Sequence, residues 1–324
     1  MFGKRFGFGH GHKAAEDTTQ FASPPPPKLD LDKLRREAAE RAARTQDALA
    51  HGKLPPDVIE RIQSQERGEL PWTSDLSVNE WAAVGRFKLH PLALVMGSAF
   101  YHVGYIPNQN AGWFTQSHEM QAQTTAMYEG WRIAIKRMEQ EATLLNANAV
   151  IGVRLERRPS GIEHGVYEYV AFGTAVAVDG LKPAPTPVLC TVSGQDFARL
   201  LAGGAMPVNI AIGGTYHYLV TDWWDVQQES SWYNQEMQHF QSGMSQARRL
   251  ATRRLREDAS KVGGSGVVGA ALEIEVEEMR SGRSSEEGPI MDHIIIAFAM
   301  GTAIEYVQPG RPESLRVEAV YELR

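Results

Sequence analysis

The chain has 324 residues, room for two domains that each bury a core, and its 43% hydrophobic and 22% charged composition is that of a globular chain. A net charge of −6 and a pI near 6.0 leave no general basic surface, which argues against nucleic acid as a partner. One cysteine, Cys190, excludes an internal disulfide and fits a reducing compartment. No apolar stretch follows the basic start Met1-Phe2-Gly3-Lys4-Arg5 and the run 91–101 is too short to cross a bilayer, so a cytoplasmic protein without a transmembrane segment is expected.

In chain order, residues 1–72 read as an arm. Its first part is rich in Gly and His and then carries prolines 24–27, a composition that favours disorder and polyproline II. A charged, alanine-rich helix over 30–50 follows. Such an arm is a candidate contact for an unidentified protein partner. Ser77-Val-Asn-Glu80 is a capping box that predicts a short helix. The run 91–102 opens on proline and is rich in apolar and aromatic residues, as the first residue of a strand allows.

Residues 117–146 then carry Met127, Ala134, Met138, Ala142 and Leu145 at helical spacing. Arg132, Lys136, Arg137, Glu139 and Glu141 are read as the solvated face of that helix. Strands are expected over 149–155 and 166–178. Pro183, Pro185 and Pro187 mark a stiff linker, 180–190.

The same order then returns. Pro91 to Gly97 reads against Pro207 to Gly213, Ser77 against Ser193 and Trp81 against Phe197, all 116 residues on. The helical stripe returns 117 residues on as Met244, Ala251, Leu255, Ala259 and Val262, with Arg249, Arg253, Arg254 and Glu257 as its solvated face. Ala171-Phe-Gly173-Thr174 returns as Ala299-Met-Gly301-Thr302. An internal duplication follows, with domains at 73–179 and 191–307 and a tail at 308–324. The expected fold class is α+β: two tandem β-α-β-β domains, each a helix on a small antiparallel sheet. The second hairpin's polar residues, 279–289, are expected to form a mobile tip.

The capped turn before a Pro-initiated strand, the helix ending near Ala147-Asn148-Ala149-Val150-Ile151-Gly152 and the closing Ala171-Phe-Gly-Thr-Ala-Val176 strand resemble the YbjQ-like family, whose members are often labelled heavy-metal-binding. The second copy resembles it more loosely, with Ala270-Ala271 where the first has Val153-Arg154. The resemblance implies homo-oligomeric rings, often pentameric, formed through sheet edges and helices. Two stacked rings with one copy in each would suit such a count. The resemblance implies no reaction, and no catalytic or cofactor-binding residue is carried over.

The heavy-metal label meets little ligand chemistry, since soft metals want clustered thiolates and Cys190 stands alone. His10 and His12 lie in a Gly-rich segment. His102 and His217 are the remaining metal candidates, yet they do not occupy equivalent positions: His102 aligns with Tyr218 and His217 with Tyr101. No nucleophile–base grouping stands out, so no enzyme and no cofactor are expected. Gly213-Gly214 falls within a strand and Gly263-Gly264 after a helix, which suits a C-cap better than a phosphate cradle. Tyr105, Trp113, Phe114, Trp223, Trp224, Trp232 and Tyr233 gather in strand-to-helix connections, as core anchors or as an interface. The competing function is a metal- or small-molecule-binding module.

Overall fold

The computed structural model describes residues 30–85, 88–103, 116–161, 165–229, 234, 236–285 and 288–306. The Gly/His/Pro-rich segment before residue 30, the tail 308–324 and the aromatic residues Tyr105, Trp113, Phe114, Trp232 and Tyr233 lie outside them. Two compact units divide at Arg44/Thr45, within helix α1 (Leu31–Ala50). All that follows concerns the second unit.

The fold is α+β. After helices α2 (Pro56–Glu66) and α3 (Val78–Val84) come strand β1 (Leu89–His102), a two-residue strand β2 (His118–Glu119), helix α4 (Gln121–Leu144), and strands β3 (Ala149–Pro159) and β4 (Val166–Val178). Then follow β5 (Val188–Leu189), α5 (Gly194–Ala202), β6 (Ala205–Leu219), α6 (Trp223–Glu229), α7 (Gln238–Lys261), β7 (Gly266–Ser285) and β8 (Gly288–Tyr306). Two four-stranded sheets result, in the orders β1-β4-β3-β5 and β2-β6-β8-β7. Among the described residues, no helix is long and apolar enough to cross a membrane.

The two sheets match in register detail. Gly97 faces Ala171 across the first, and Gly213 faces Ala299 across the second. Strands β1 and β6 both slip after their proline, at Pro91/Ala93 and Pro207/Asn209. Both inner hairpins bulge at a glycine with positive φ, Gly152 (64°) and Gly269 (60°), a conformation a side chain would resist. A Cβ on Gly97 would overlap the Ala134 carbonyl and the Met138 amide; one on Gly213 would overlap the Ala251 carbonyl and the Leu255 amide. Glycine therefore lets each helix backbone lie directly on its sheet.

Both capping boxes form, with a difference. The Ser77 amide donates to Glu80 Oε2 (2.8 Å) and the Glu80 amide to Ser77 Oγ (3.3 Å). In the second copy the Asp196 amide donates to Ser193 Oγ (3.2 Å), while the shorter Asp196 carboxylate takes the serine hydroxyl. In the hairpin read as a polar tip over 279–289, pairing reaches Ser285 and Gly288, and residues 286–287 lie outside the described residues.

The sheets and helices stack in series. Ala134, Met138 and Ala142 of α4 pack against Val95, Ala99 and Ala171 of the first sheet. The same core continues into the second sheet through Ile210, Tyr216, Tyr218, Ile296 and Phe298, so α4 lies between the two sheets. Trp131, 2% exposed, pins this layer: its ring meets Tyr169 edge-on at 5.1 Å and stacks on Phe298 at 5.2 Å. The opposite face of the second sheet packs on α7 through Ala211, Leu219, Ala251 and Leu255. A third core joins α3 and α5 over one end of the first sheet's outer face, around Ile151, Val176 and Phe197.

Candidate assembly surface

The junction between α4 and the second sheet is apolar at its centre and clamped by a buried polar cluster. β2 adds to the edge of β6, with Glu119 opposite His217 and His118 opposite Tyr218. The Glu119 carboxylate accepts from both terminal nitrogens of the Arg254 guanidinium (Nη2 to Oε2, 2.9 Å) and from Thr215 Oγ1 at 2.9 Å. Arg254 also donates to the Gly214 carbonyl at 2.9 Å. Thr124 Oγ1 and Tyr128 Oη accept the amides of Tyr216 (3.0 Å) and Gly214 (2.8 Å), so α4 satisfies backbone groups of β6 directly.

Burial pulls the Glu119 carboxyl upward, but Arg254, Thr215 and Thr124 outweigh that pull and hold it below its ordinary value. The pair joins the first copy to the second, because Glu119 precedes α4 and Arg254 lies on α7. Sequence reasoning had placed Arg254 on a solvated face. Its side chain is only 20% exposed, and a helical wheel alone carried no sign of a partner 135 residues away.

The solvated reading fails for two more residues. Glu141 is buried, accepts the Met96 amide at 2.9 Å and pairs with Arg61 at 2.8 Å; burial pushes its carboxyl above the ordinary value. Its counterpart Asp258 accepts the Ile212 amide, also at 2.9 Å. Arg137, the counterpart of Arg254, donates to the Ser98 carbonyl, and burial depresses its guanidinium below the ordinary value. Among the described residues Arg137 has no carboxylate partner.

Positions that the junction buries in the second copy stand exposed in the first. Met96 is 49% and Phe100 58% exposed, whereas their counterparts Ile212 and Tyr216 pack into the core. Trp81 on α3 is 51% exposed, whereas its counterpart Phe197 on α5 is buried. On the other side of the chain the sense reverses. Thr124 and Trp131 of α4 are buried, while Gln241 and Arg248 at the same places on α7 are exposed. Leu155 is buried in β3, and its counterpart Leu272 in β7 is exposed.

The histidine candidates do not come together. His102 ends β1, exposed and opposite Val166 in the first sheet. His217 lies on β6 in the second sheet, fully buried, and neither ring nitrogen has a hydrogen-bond partner among the described residues. Burial, aided by His118, lowers its pKa and favours the neutral ring. Cys190 is buried against Thr302, and burial raises its thiol to about 11, the opposite of what a soft-metal ligand requires. One group of three potential ligands lies within 4.8 Å among the described residues: Asp222, Asp225 and His239. Its local role is structural, since the Asp222 and Asp225 amides and carboxylates cap α6 reciprocally at 2.8 Å and His239 Nδ1 sits 2.6 Å from Asp225. A thiolate-seeking heavy metal does not fit these residues.

A cavity of about 260 Å³ lies beside the junction, lined by Met127, Trp131, Arg157, Glu275 and Phe298. Its cation is already engaged, because Arg157 donates to Tyr216 Oη at 2.5 Å and pairs with Glu275.

Residues 114–179 match the family described as "Putative heavy-metal-binding" (YbjQ). The chain is 34% identical over 226 residues to the encapsulin nanocompartment protein Rv1762c of Mycobacterium tuberculosis, an alignment that covers 68% of this chain and 84% of that one. It is 48% identical over 58 residues to a UPF0145 protein of Clostridium perfringens and 45% identical over 58 residues to one of Vibrio campbellii. Those alignments take in 18% of this chain and about half of each relative (53% and 54%). No solved structure matches.

Proposed function

Because this chain belongs to the YbjQ-like family, with the UPF0145 proteins and the mycobacterial nanocompartment protein among its relatives, we propose that it is a cytoplasmic, homo-oligomeric assembly protein without catalytic chemistry. Its two copies, 73–179 and 191–307, would be the assembling units. One observation carries the reading: the first copy exposes, at Trp81, Met96 and Phe100, the positions that the second copy buries. Large apolar side chains left exposed at such positions mark an interface. The mycobacterial relative's name supports a role in a protein nanocompartment, and we take the arm, 1–72, as the contact for an unidentified protein partner.

Sedimentation velocity across micromolar concentrations tests the assembly. A defined complex of several chains is expected; a monomer throughout would overturn the reading. A second reading, a metal-binding module, is favoured by the Asp222, Asp225 and His239 group, an oxygen–nitrogen set suited to zinc rather than to soft metals. It predicts saturable zinc binding by titration calorimetry that is lost in Asp225→Asn and retained when His102 or His217 is changed. Zinc heats indistinguishable from buffer would dispose of it.

A further inference from the structure

The chain contains one junction in which a helix of one copy, with the residue just before it, clamps the outer face of the other copy's sheet. The parts for a second junction of the same kind are present but unjoined. Glu119-Met120-Gln121 opens α4, and Glu236-Met237-Gln238 opens α7 117 residues later. The backbone is the same at both places: Met120 has φ −86° and ψ 85°, Met237 φ −83° and ψ 85°, and each precedes a 24-residue helix. Glu236 therefore stands before α7 as Glu119 stands before α4. Glu119 is clamped by Arg254, whereas Glu236 is exposed and makes no ion pair among the described residues.

The complementary vacancy is on the first copy. Arg137 holds the Ser98 carbonyl as Arg254 holds that of Gly214, yet among the described residues it lacks the carboxylate that Arg254 has. Around it the outer face of the first sheet, with Met96 and Phe100, is open. Neither of the two long helices of the same chain fills the place, since α4 lies on this sheet's other face and α7 packs on the second sheet.

Resting on the assembly reading above, we propose that the occupant is a second copy of this chain, whose α7 lies on the outer face of the first sheet and whose Glu236 pairs with Arg137. Both partners are then desolvated together and Arg137 gains its missing counter-charge. Arg248, exposed on α7 at the place of Trp131, brings a guanidinium to the aromatic face that holds Phe100 and Phe172. The free β7 edge and Leu272 on one chain, and Trp72 and Trp81 on the next, are brought to the same seam, as β5 and Phe197 are at the internal one. The contact is head-to-tail, so it leaves a donor and an acceptor surface at the ends until a ring closes. Both copies of each chain stand in one series of layers, in place of the two stacked rings expected from the family's ring count.

The test is a charge exchange. Arg137→Glu and Glu236→Arg each place like charges at the seam, and each alone should weaken assembly by roughly tenfold or more in concentration. Mixed together they should reassemble: one contact is then the native pair and the other the reversed pair. The double variant in one chain should also assemble. Glu236 is exposed in the chain, so Glu236→Arg should fold as the parent does, with the same circular dichroism melt at low concentration. It carries the test even if Arg137→Glu does not fold. Single variants as assembled as the parent would overturn the pairing, and so would singles that dissociate without recovery in the mixture or the double variant. A monomeric parent would overturn the assembly reading itself.

Discussion

Trp131 is the side chain on which the layered stack most depends, and its removal has a magnitude that the structure sets. The ring is 2% exposed and touches an aromatic ring of each sheet, Tyr169 at 5.1 Å and Phe298 at 5.2 Å. Truncating a buried Trp to Ala costs about 3–5 kcal/mol, through lost burial and the cavity left behind. One effect opposes it: the indole N–H has no partner among the described residues, and deleting an unpaired buried donor returns about 1 kcal/mol or more. Trp131→Ala should therefore lose about 3 kcal/mol. Trp131→Phe keeps an apolar ring between the sheets and removes the unpaired N–H, so it should lose about 1 kcal/mol or less. Urea unfolding followed by circular dichroism, at one fixed chain concentration, measures both, because assembly makes apparent stability depend on concentration. A Trp131→Ala loss below about 1 kcal/mol, or a larger loss in Trp131→Phe than in Trp131→Ala, would refute α4 as the shared layer.

Three further outcomes follow from the same contacts. Gly97→Ala and Gly213→Ala each drive a methyl into helix backbone, and each should destabilise by about 2–3 kcal/mol in thermal unfolding; a change within 0.5 kcal/mol would contradict the direct helix-on-sheet approach. Glu141 and Glu119 should give opposite pH trends. The raised Glu141 favours the folded state most below the ordinary carboxylate pKa and loses that advantage as pH rises, so Glu141→Gln should gain on the parent from pH 4 to 7. The depressed Glu119 stabilises above the ordinary value and loses that as pH falls, so Glu119→Gln should fall furthest behind the parent near neutrality. Parallel trends in stability titrations would contradict the two environments. Cys190, buried with its thiol raised to about 11, should resist iodoacetamide at pH 8 in the native protein and react once the chain is unfolded; rapid native labelling would contradict its burial.

Much of the architecture was legible because each signal was local. Ser77 and Ser193 announce their helices through a neighbour three residues away, and the stripe Met127, Ala134, Met138, Ala142 follows from helical period alone. Gly97 and Gly213 stand at equivalent places in the repeat, and only the fold shows that helix backbone approaches them. The connection at 279–289 reads by composition as a tip, but serine, arginine and glycine there sit in a long hairpin where pairing overrides propensity. The decisive residues of the assembly surface were the least legible. Arg254 and Glu141 look like any solvated charge on a helix until the chain brings Glu119, Met96 and Arg61 to them. The positions that differ in exposure between the two copies point to a partner, and exposure is a property of the fold.

Electron cryomicroscopy of the assembled full chain would show the seam between chains. Successive chains are expected in one series, with α7 of each lying on the outer face of the next chain's first sheet and density joining Glu236 to Arg137. A complex in which that outer face is open to solvent, or is covered by an element other than α7, would contradict that arrangement.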